Sequence, residues 1–169
     1  MFYNGSMARR RIFGLICIGI VLLLSALAIF IKARTGADIF FEVVALDDGE
    51  VLFRRKVTPG DRFSTTFEHS VQLSDWTDFF EITEDYEFKV YETRFADMGW
   101  GFPSEPDPGA KIEMTPEYIR YYDMDRRMKS FEIGVQTEND RHFLEMDGFL
   151  VDFVKEAGPG RRLLFRIKP

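Results

Sequence analysis

The segment from Phe63 to Ile82 alternates apolar and polar residues on both sides of a possible turn. Because successive side chains of a strand point to opposite faces, a hairpin turning at Leu73 and Ser74 gathers one set of them on a single face. The opposed pairs on that face are Val71 with Trp76, His69 with Asp78, Phe67 with Phe80, and Thr65 with Ile82. A slip by one residue would bury glutamates and expose these rings, so the pattern predicts a hairpin with one buried face.

A second constraint is the uncharged run at residues 12–31, which is long enough as a helix to cross a bilayer core of about 30 Å. Three arginines precede the run, and Lys32 and Arg34 follow it. The positive-inside rule predicts a cytoplasmic N-terminus at residues 1–11, a signal anchor at 12–31, and a domain at 35–169 outside the cytoplasmic membrane. A cleaved signal peptide is the alternative, but its apolar region is normally about 7–15 residues.

Short strand-like runs bounded by turn residues recur after residue 38. Asp-Gly turns near residues 47–49 and 147–148, and Pro-Gly turns at 59–60 and 159–160, separate apolar runs in two similarly spaced sets. The sets suggest either a duplicated three-stranded unit or the ordinary reuse of turn residues in a β meander. The predicted strands are 39–46, 51–57, 62–71, 87–95, 143–146, 149–155 and 162–168. The predicted fold is all-β, an antiparallel sandwich or barrel of about eight to ten strands preceded by one transmembrane helix.

A long loop is predicted at residues 96–116, which contain four of the seven prolines. Loops of this length are usually functional or disordered. Within it, Gly99 and Gly101 flank Trp100 and are followed by Phe102 and Pro103, a string that can present an aromatic ring over a pocket or plug the end of a barrel. The next residues allow either a helix start at 115–117 or a strand at 118–122.

His69 and Asp78 are the histidine–carboxylate pair that the predicted hairpin brings together. A carboxylate beside an imidazole orients it and favours its protonated form, which suits ligand binding, general-base catalysis or a self-satisfied structural pair. Ser70 follows His69 but points to the opposite face of the strand, so no nucleophile and no catalytic residue is assigned. A metal site would need about three ligands and could include His142 only if folding brings it near, so neither a metal nor another cofactor is predicted.

The charge of the chain limits its partners. All 28 acidic residues but only 17 of the 22 lysines and arginines follow the apolar run, which gives the outer domain a net charge of −11. Such a surface repels nucleic acid, so that partner class is excluded. The single cysteine, Cys17, lies within the apolar run, so the domain relies on its own core rather than on an internal disulfide.

These motifs together resemble a known family. His69-Ser70-Val71, the acid at Asp78, and Gly99-Trp100-Gly101-Phe102-Pro103 are similar to the family catalogued as domain of unknown function eighteen-fifty, whose pattern looks like His-Ser-Val-Glu, a Pro, an acid, then Gly-Ala-Gly-Leu-Pro. The chain departs from this pattern at Gln72, Asp75, Asp78 and Trp100. The resemblance implies a small exported protein of the kind often encoded beside TAXI-type TRAP transporters, whose soluble receptors deliver organic acids to a membrane permease.

The sequence therefore predicts a membrane-anchored, non-enzymatic accessory or binding subunit associated with a TAXI-type TRAP transporter. Its expected partners are the membrane, the permease or receptor subunits, and a small organic solute. The alternatives are an enzyme using His69 as general base with Asp78 as its orienter, and an envelope scaffold in which the pair is part of the core. The predicted ligand- or partner-binding residues are His69, Ser70, Asp78, Gly99, Trp100, Gly101 and Pro103.

Overall fold

The computed structural model describes residue 18 and residues 20–25, 38–69, 73–96, 105–135, 137 and 141–168. The chain divides into two compact units, residues 1–37 and residues 38–169. In the first unit, residue 18 and residues 20–25 are helical. No helix among the described residues has both the length and the hydropathy that crossing a membrane requires, and most of the predicted anchor at 12–31 lies outside those residues.

The second unit is built almost entirely from antiparallel strands. Eleven strands are described, more than the eight to ten that the sequence predicts, together with one short helix, α1 (Phe153–Ala157). The strands are β1 (Phe40–Ala45), β2 (Val51–Lys56), β3 (Arg62–His69), β4 (Ser74–Ile82), β5 (Phe88–Phe95), β6 (Lys111–Met114), β7 (Ile119–Met128), β8 (Ser130–Val135), β9 (His142–Met146), β10 (Phe149–Asp152) and β11 (Arg161–Lys168).

The strands form two sheets packed as a sandwich. The smaller sheet has the order β2-β1-β11-β8, and the larger sheet has the order β10-β9-β3-β4-β5-β7-β6. Phe41 of the smaller sheet has no exposed surface, and its ring lies 4.6 Å from that of Phe63 and 5.2 Å from that of Phe88 in the larger sheet. Aromatic side chains from both inner faces thus form one core, which confirms the predicted all-β class.

The two similarly spaced sets of strands take equivalent places in the sandwich. The β1–β2 hairpin belongs to the smaller sheet, and the strand that follows it, β3, pairs with β9 in the larger sheet. The β9–β10 hairpin belongs to the larger sheet, and after α1 the chain returns to pair β11 with β1. Each sheet therefore contains one hairpin and the third strand of the other set, an arrangement that favours the duplicated unit.

Two predicted boundaries were wrong, and one open alternative is decided. The strand expected at 149–155 ends at Asp152, whose carboxylate accepts hydrogen bonds from the backbone of Val154 and Lys155 and so starts α1. The loop expected at 96–116 contains strand β6. Of the two alternatives for the next residues, the strand is observed, since β7 begins at Ile119. The segment around Thr115 is a tight turn between β6 and β7, in which the Thr115 N–H donates to the Tyr118 carbonyl oxygen at 2.9 Å.

Candidate functional site

A cavity of about 850 Å³ opens between the inner face of the larger sheet and β8 of the smaller sheet. Its size lies within the range of small-molecule sites, about 300–1,000 Å³. Polar groups and aromatic or aliphatic side chains contribute about equally to the wall. The lining residues used below are Thr65, Phe67, Glu68, His69, Trp76, Asp78, Phe80, Arg126, Met128, Phe131, Glu132, Ile133 and His142.

One row of rings crosses the larger sheet beneath this cavity. In register across β9, β3, β4 and β5 lie His142, Phe67, Trp76 and Phe95. Their successive ring centroids are 6.0, 5.8 and 5.3 Å apart, and the ring planes are nearly parallel. This row follows from the sequence, because side chains directly opposite each other in an antiparallel pair lie on the same face. It gives the cavity a flat aromatic wall.

A polar row lies two residues further along each strand. Thr65, Asp78 and Thr93 are in register across β3, β4 and β5, and both threonines are buried. Oδ1 of Asp78 accepts a hydrogen bond from the Trp76 indole Nε1–H at 2.8 Å and another from the Thr93 hydroxyl at 2.6 Å. The cavity therefore has a fixed carboxyl group at its aromatic wall.

Burial raises the pKa of the Asp78 carboxyl above its ordinary value. The hydrogen bonds from Thr93 and Trp76 and the positive charge of Arg126 act in the opposite direction, but loss of water around the carboxylate is the larger effect. A ligand that supplies a positive charge or a hydrogen-bond donor would stabilise the charged form of this buried carboxyl group.

The other charged side chains that line the cavity are held by ion pairs. Arg126 donates to both carboxylate oxygens of Asp107, at 3.0 and 2.7 Å. Glu68 accepts from Arg141 at 2.9 Å, and Glu132 accepts from Arg162. The charges of these three groups are thus largely balanced at the cavity rim.

The structure corrects the predicted pairing of His69 with Asp78. In the observed register His69 lies opposite Ser74, and Asp78 lies opposite Thr65. Four strand positions separate the two side chains, which amounts to about 13 Å along the strand and is too far for a hydrogen bond. Both residues still line the same cavity, because a slip by an even number of residues leaves every side chain on its original face.

Cross-strand pairs explain why the observed register is preferred. It stacks Phe63 on Phe80 with ring centroids 4.6 Å apart. It also sets Arg62 opposite Glu81, where the guanidinium nitrogen and the carboxylate oxygen are 2.7 Å apart. The register predicted from the sequence would have separated both pairs, which are among those that stabilise antiparallel sheets.

The remaining predicted site residues have different outcomes. Ser70, Gly99, Trp100, Gly101 and Pro103 lie outside the described residues. His142, which could join His69 only if folding brought it near, does line the same cavity. Within the described part of the chain, no group of three or more His, Cys, Asp or Glu side chains is arranged to hold a metal ion.

Sequence reasoning missed the contribution of β7. Arg126 lies between Met124 and Met128 at a spacing of two, so all three side chains belong to the inner face of that strand. A charged residue inside an apolar alternation is the signal that could have identified it. Phe131, which closes the opposite wall with its ring stacked 4.9 Å from that of Phe80, carried no comparable signal because β8 was not predicted.

Comparison with known proteins adds a family. A family model described as Domain of unknown function (DUF1850) matches residues 63–153. All of the described residues that line the cavity fall within this range. Neither the curated proteins nor the solved structures contain a match to the chain. The model covers more than half of the sequence and includes the entire cavity, and the chain therefore belongs to the DUF1850 family.

Proposed function

We propose that the protein is a non-enzymatic binding subunit of a TAXI-type TRAP solute transporter, anchored in the cytoplasmic membrane with its β domain outside. The observation that carries the proposal is the cavity of about 850 Å³ between the two sheets. It combines a wide aromatic wall with polar groups that can orient a ligand, and sites for small organic molecules contain both kinds of group.

The anchored topology is supported by the uncharged run at 12–31 and by the arginines that precede it. The transporter association is supported by family membership, because members resembling this chain are expected beside genes for such transporters. A domain held at the membrane and able to bind a solute could present that solute to a permease, or report its presence.

The geometry argues against catalysis by a His69–Asp78 pair. A general base of this kind needs a partner that orients its imidazole, and Asp78 is about 13 Å away along the strand. Its Oδ1 is instead occupied by Trp76 and Thr93. The scaffold alternative is also weakened, since it expects a filled core beside His69 rather than a cavity.

One observation favours a second candidate, an enzyme with a histidine base. His69 and His142 line the same cavity, so one ligand could contact both side chains. If this candidate is right, the protein should convert a bound molecule to a product, and both His69→Ala and His142→Ala should abolish that conversion. The binding subunit expects the bound molecule to be recovered unchanged.

The test is a pull-down of the tagged full chain from its native membrane in mild detergent, with co-purifying proteins identified by mass spectrometry. His69→Ala is run beside the wild type, and Glu117→Ala, at an exposed turn away from the cavity, is the matched control. Transporter subunits should be recovered with the wild type and the control. Their loss in a folded His69→Ala protein would assign His69 to the contact or to its support. Recovery of no transporter subunit with the wild type would overturn the proposal.

A further inference from the structure

We propose that the cavity binds a protonated amine carried on a flat apolar body, with Oδ2 of Asp78 as the acceptor for the ammonium group. This inference rests on the proposed function, because it names the ligand class of the same cavity. It is argued from the hydrogen bonds of Asp78, from the balance of charge around the cavity, and from the arrangement of the rings.

The two oxygens of Asp78 have different surroundings. Both donors, Trp76 Nε1 and Thr93 Oγ1, point at Oδ1. Among the described residues no hydrogen bond reaches Oδ2, and this atom keeps accessible surface at the cavity wall. A carboxylate accepts through both oxygens, so the arrangement fixes one of them and leaves the other to a ligand.

The balance of charge favours a cation over an anion. Glu68, Glu132 and Arg126 each have an ion-pair partner outside the cavity. In the described part of the chain, Asp78 is the charged lining residue that has no ion pair. The charge of Arg126 acts on Asp78 without forming an ion pair and does not outweigh the effect of burial. An ammonium group would supply a direct partner, whereas an anionic ligand would add to the repulsion.

The walls suit the rest of such a ligand. The nearly parallel rings of Phe67 and Trp76 lie on the larger sheet. Phe80 of the same sheet stacks on Phe131 of the smaller sheet, with their ring centroids 4.9 Å apart. Aromatic faces attract cations as well as apolar surface, and a desolvated cation gains more from them than an exposed one. A flat body can therefore lie against the rings while its amine reaches Asp78.

Arg126 is the residue that favours an anionic ligand instead. Its Nε and Nη2 are used by Asp107, and among the described residues no hydrogen bond uses Nη1. A carboxylate ligand could accept from that nitrogen. We favour the amine because Asp107 already offsets the charge of Arg126, while no cation is paired with Asp78.

The experiment uses three probes with the same phenyl body and different charge. Phenethylamine is the cation, 2-phenylethanol is neutral and 3-phenylpropionate is the anion. Each is titrated calorimetrically into the full chain in mild detergent near neutral pH. The expected order is amine, then alcohol, then acid. A charge-assisted hydrogen bond to a buried carboxylate corresponds to about 10- to 100-fold between amine and alcohol.

Two variants assign the effect to the named groups. Asp78→Asn keeps the shape and an oxygen for Trp76 and Thr93, and it should remove the preference for amine over alcohol while leaving alcohol binding within a few-fold. Arg126→Gln should leave amine binding equal or stronger. The same circular dichroism spectrum and a single cooperative unfolding transition in all three proteins would show that the changes are not due to misfolding.

The outcomes separate this inference from the proposed function. Tighter binding of the acid, abolished by Arg126→Gln, would overturn the amine class but retain the cavity as a binding site. Equal binding of all three probes would overturn any role for Asp78 in recognising charge. If no probe binds, the inference is overturned, while the pull-down of transporter subunits decides independently on the proposed function.

Discussion

Replacement of Trp76 by Phe isolates the hydrogen bond that holds the Asp78 carboxylate at the cavity wall. The indole N–H donates to Oδ1 at 2.8 Å, and Phe keeps an aromatic ring in the row while removing the donor. A hydrogen bond to a charged acceptor contributes about 1.5–3 kcal/mol to stability, and one between neutral groups about 0.5–1.5 kcal/mol. In an Asp78→Asn background the amide oxygen still accepts the bond but is uncharged, so Trp76→Phe should cost about 1 kcal/mol less there.

The cost of the smaller ring is common to both backgrounds, so the double-mutant cycle removes it. The assay is urea unfolding of the four proteins, each as the full chain in mild detergent, followed by circular dichroism and extrapolated to zero urea. A coupling free energy of about 1 kcal/mol near neutral pH is expected. Equal costs of Trp76→Phe in the two backgrounds would refute the view that the indole stabilises an ionised Asp78.

The pH dependence of the same proteins gives a further check, with a defined sign. Burial raises the pKa of Asp78 in the folded protein above its unfolded value. Its contribution to stability is therefore fully present below the unfolded pKa and is lost as the pH rises through the folded pKa. Asp78→Asn should thus gain stability relative to the wild type as the pH rises from acid to neutral. A loss of stability in Asp78→Asn relative to the wild type as the pH rises would contradict the burial of this carboxyl group.

Two other predictions concern the sandwich and its register. Phe41→Ala should lower the free energy of unfolding by about 3–5 kcal/mol, because its ring is fully buried between the sheets. Phe149→Ala, at a side chain that is 61% exposed, should lower it by about 0.5 kcal/mol or less. Denaturant unfolding of both variants measures the difference. Similar costs would contradict the core as described. Cysteines replacing Thr66 and Thr77, whose hydroxyl oxygens are 2.9 Å apart, should form a disulfide under mild oxidation, whereas cysteines replacing Thr66 and Glu81 should not; the reverse result would restore the register predicted from the sequence.

Much of the fold could be predicted because its signals are local. Alternation assigned Phe67, Trp76 and Phe80 to one face, and the structure places all three at the cavity. The hairpin turns could also be predicted, because Gly49 and Gly148 adopt positive φ values of 78° and 77°, which residues with a Cβ rarely adopt. These features depend on single residues and their immediate neighbours.

The register and the partners of Asp78 could not be predicted in the same way. Alternation has a period of two, so registers that differ by four residues bury the same faces and are distinguished only by particular cross-strand pairs. Thr93 reaches Asp78 from another strand, and Arg126 comes from a part of β7 that was not predicted as a strand. Such contacts depend on the order of strands in the sheet, which a local pattern does not contain.

The short helix α1 was predicted as part of a strand for a different reason. Residues 149–155 alternate well enough to suggest one strand, but Asp152 caps a helix by accepting hydrogen bonds from the backbone N–H groups of Val154 and Lys155. The buried ring of Phe153 then packs edge-on against Phe165, with ring centroids 5.5 Å apart. A tertiary contact and a cap therefore outweigh the local strand pattern.

Whether the cavity holds a small molecule is tested most directly by native mass spectrometry of the full chain, purified from its own membrane without added ligands. The wild type is compared with Ile133→Trp, which adds a large side chain to the cavity wall, and with Glu117→Ala as a control. A bound small organic molecule is expected in the wild type and the control, and it should be lost in a folded Ile133→Trp protein. A wild type without any bound molecule, or one whose bound molecule is unaffected by Ile133→Trp, would contradict the assignment of this cavity as the binding site.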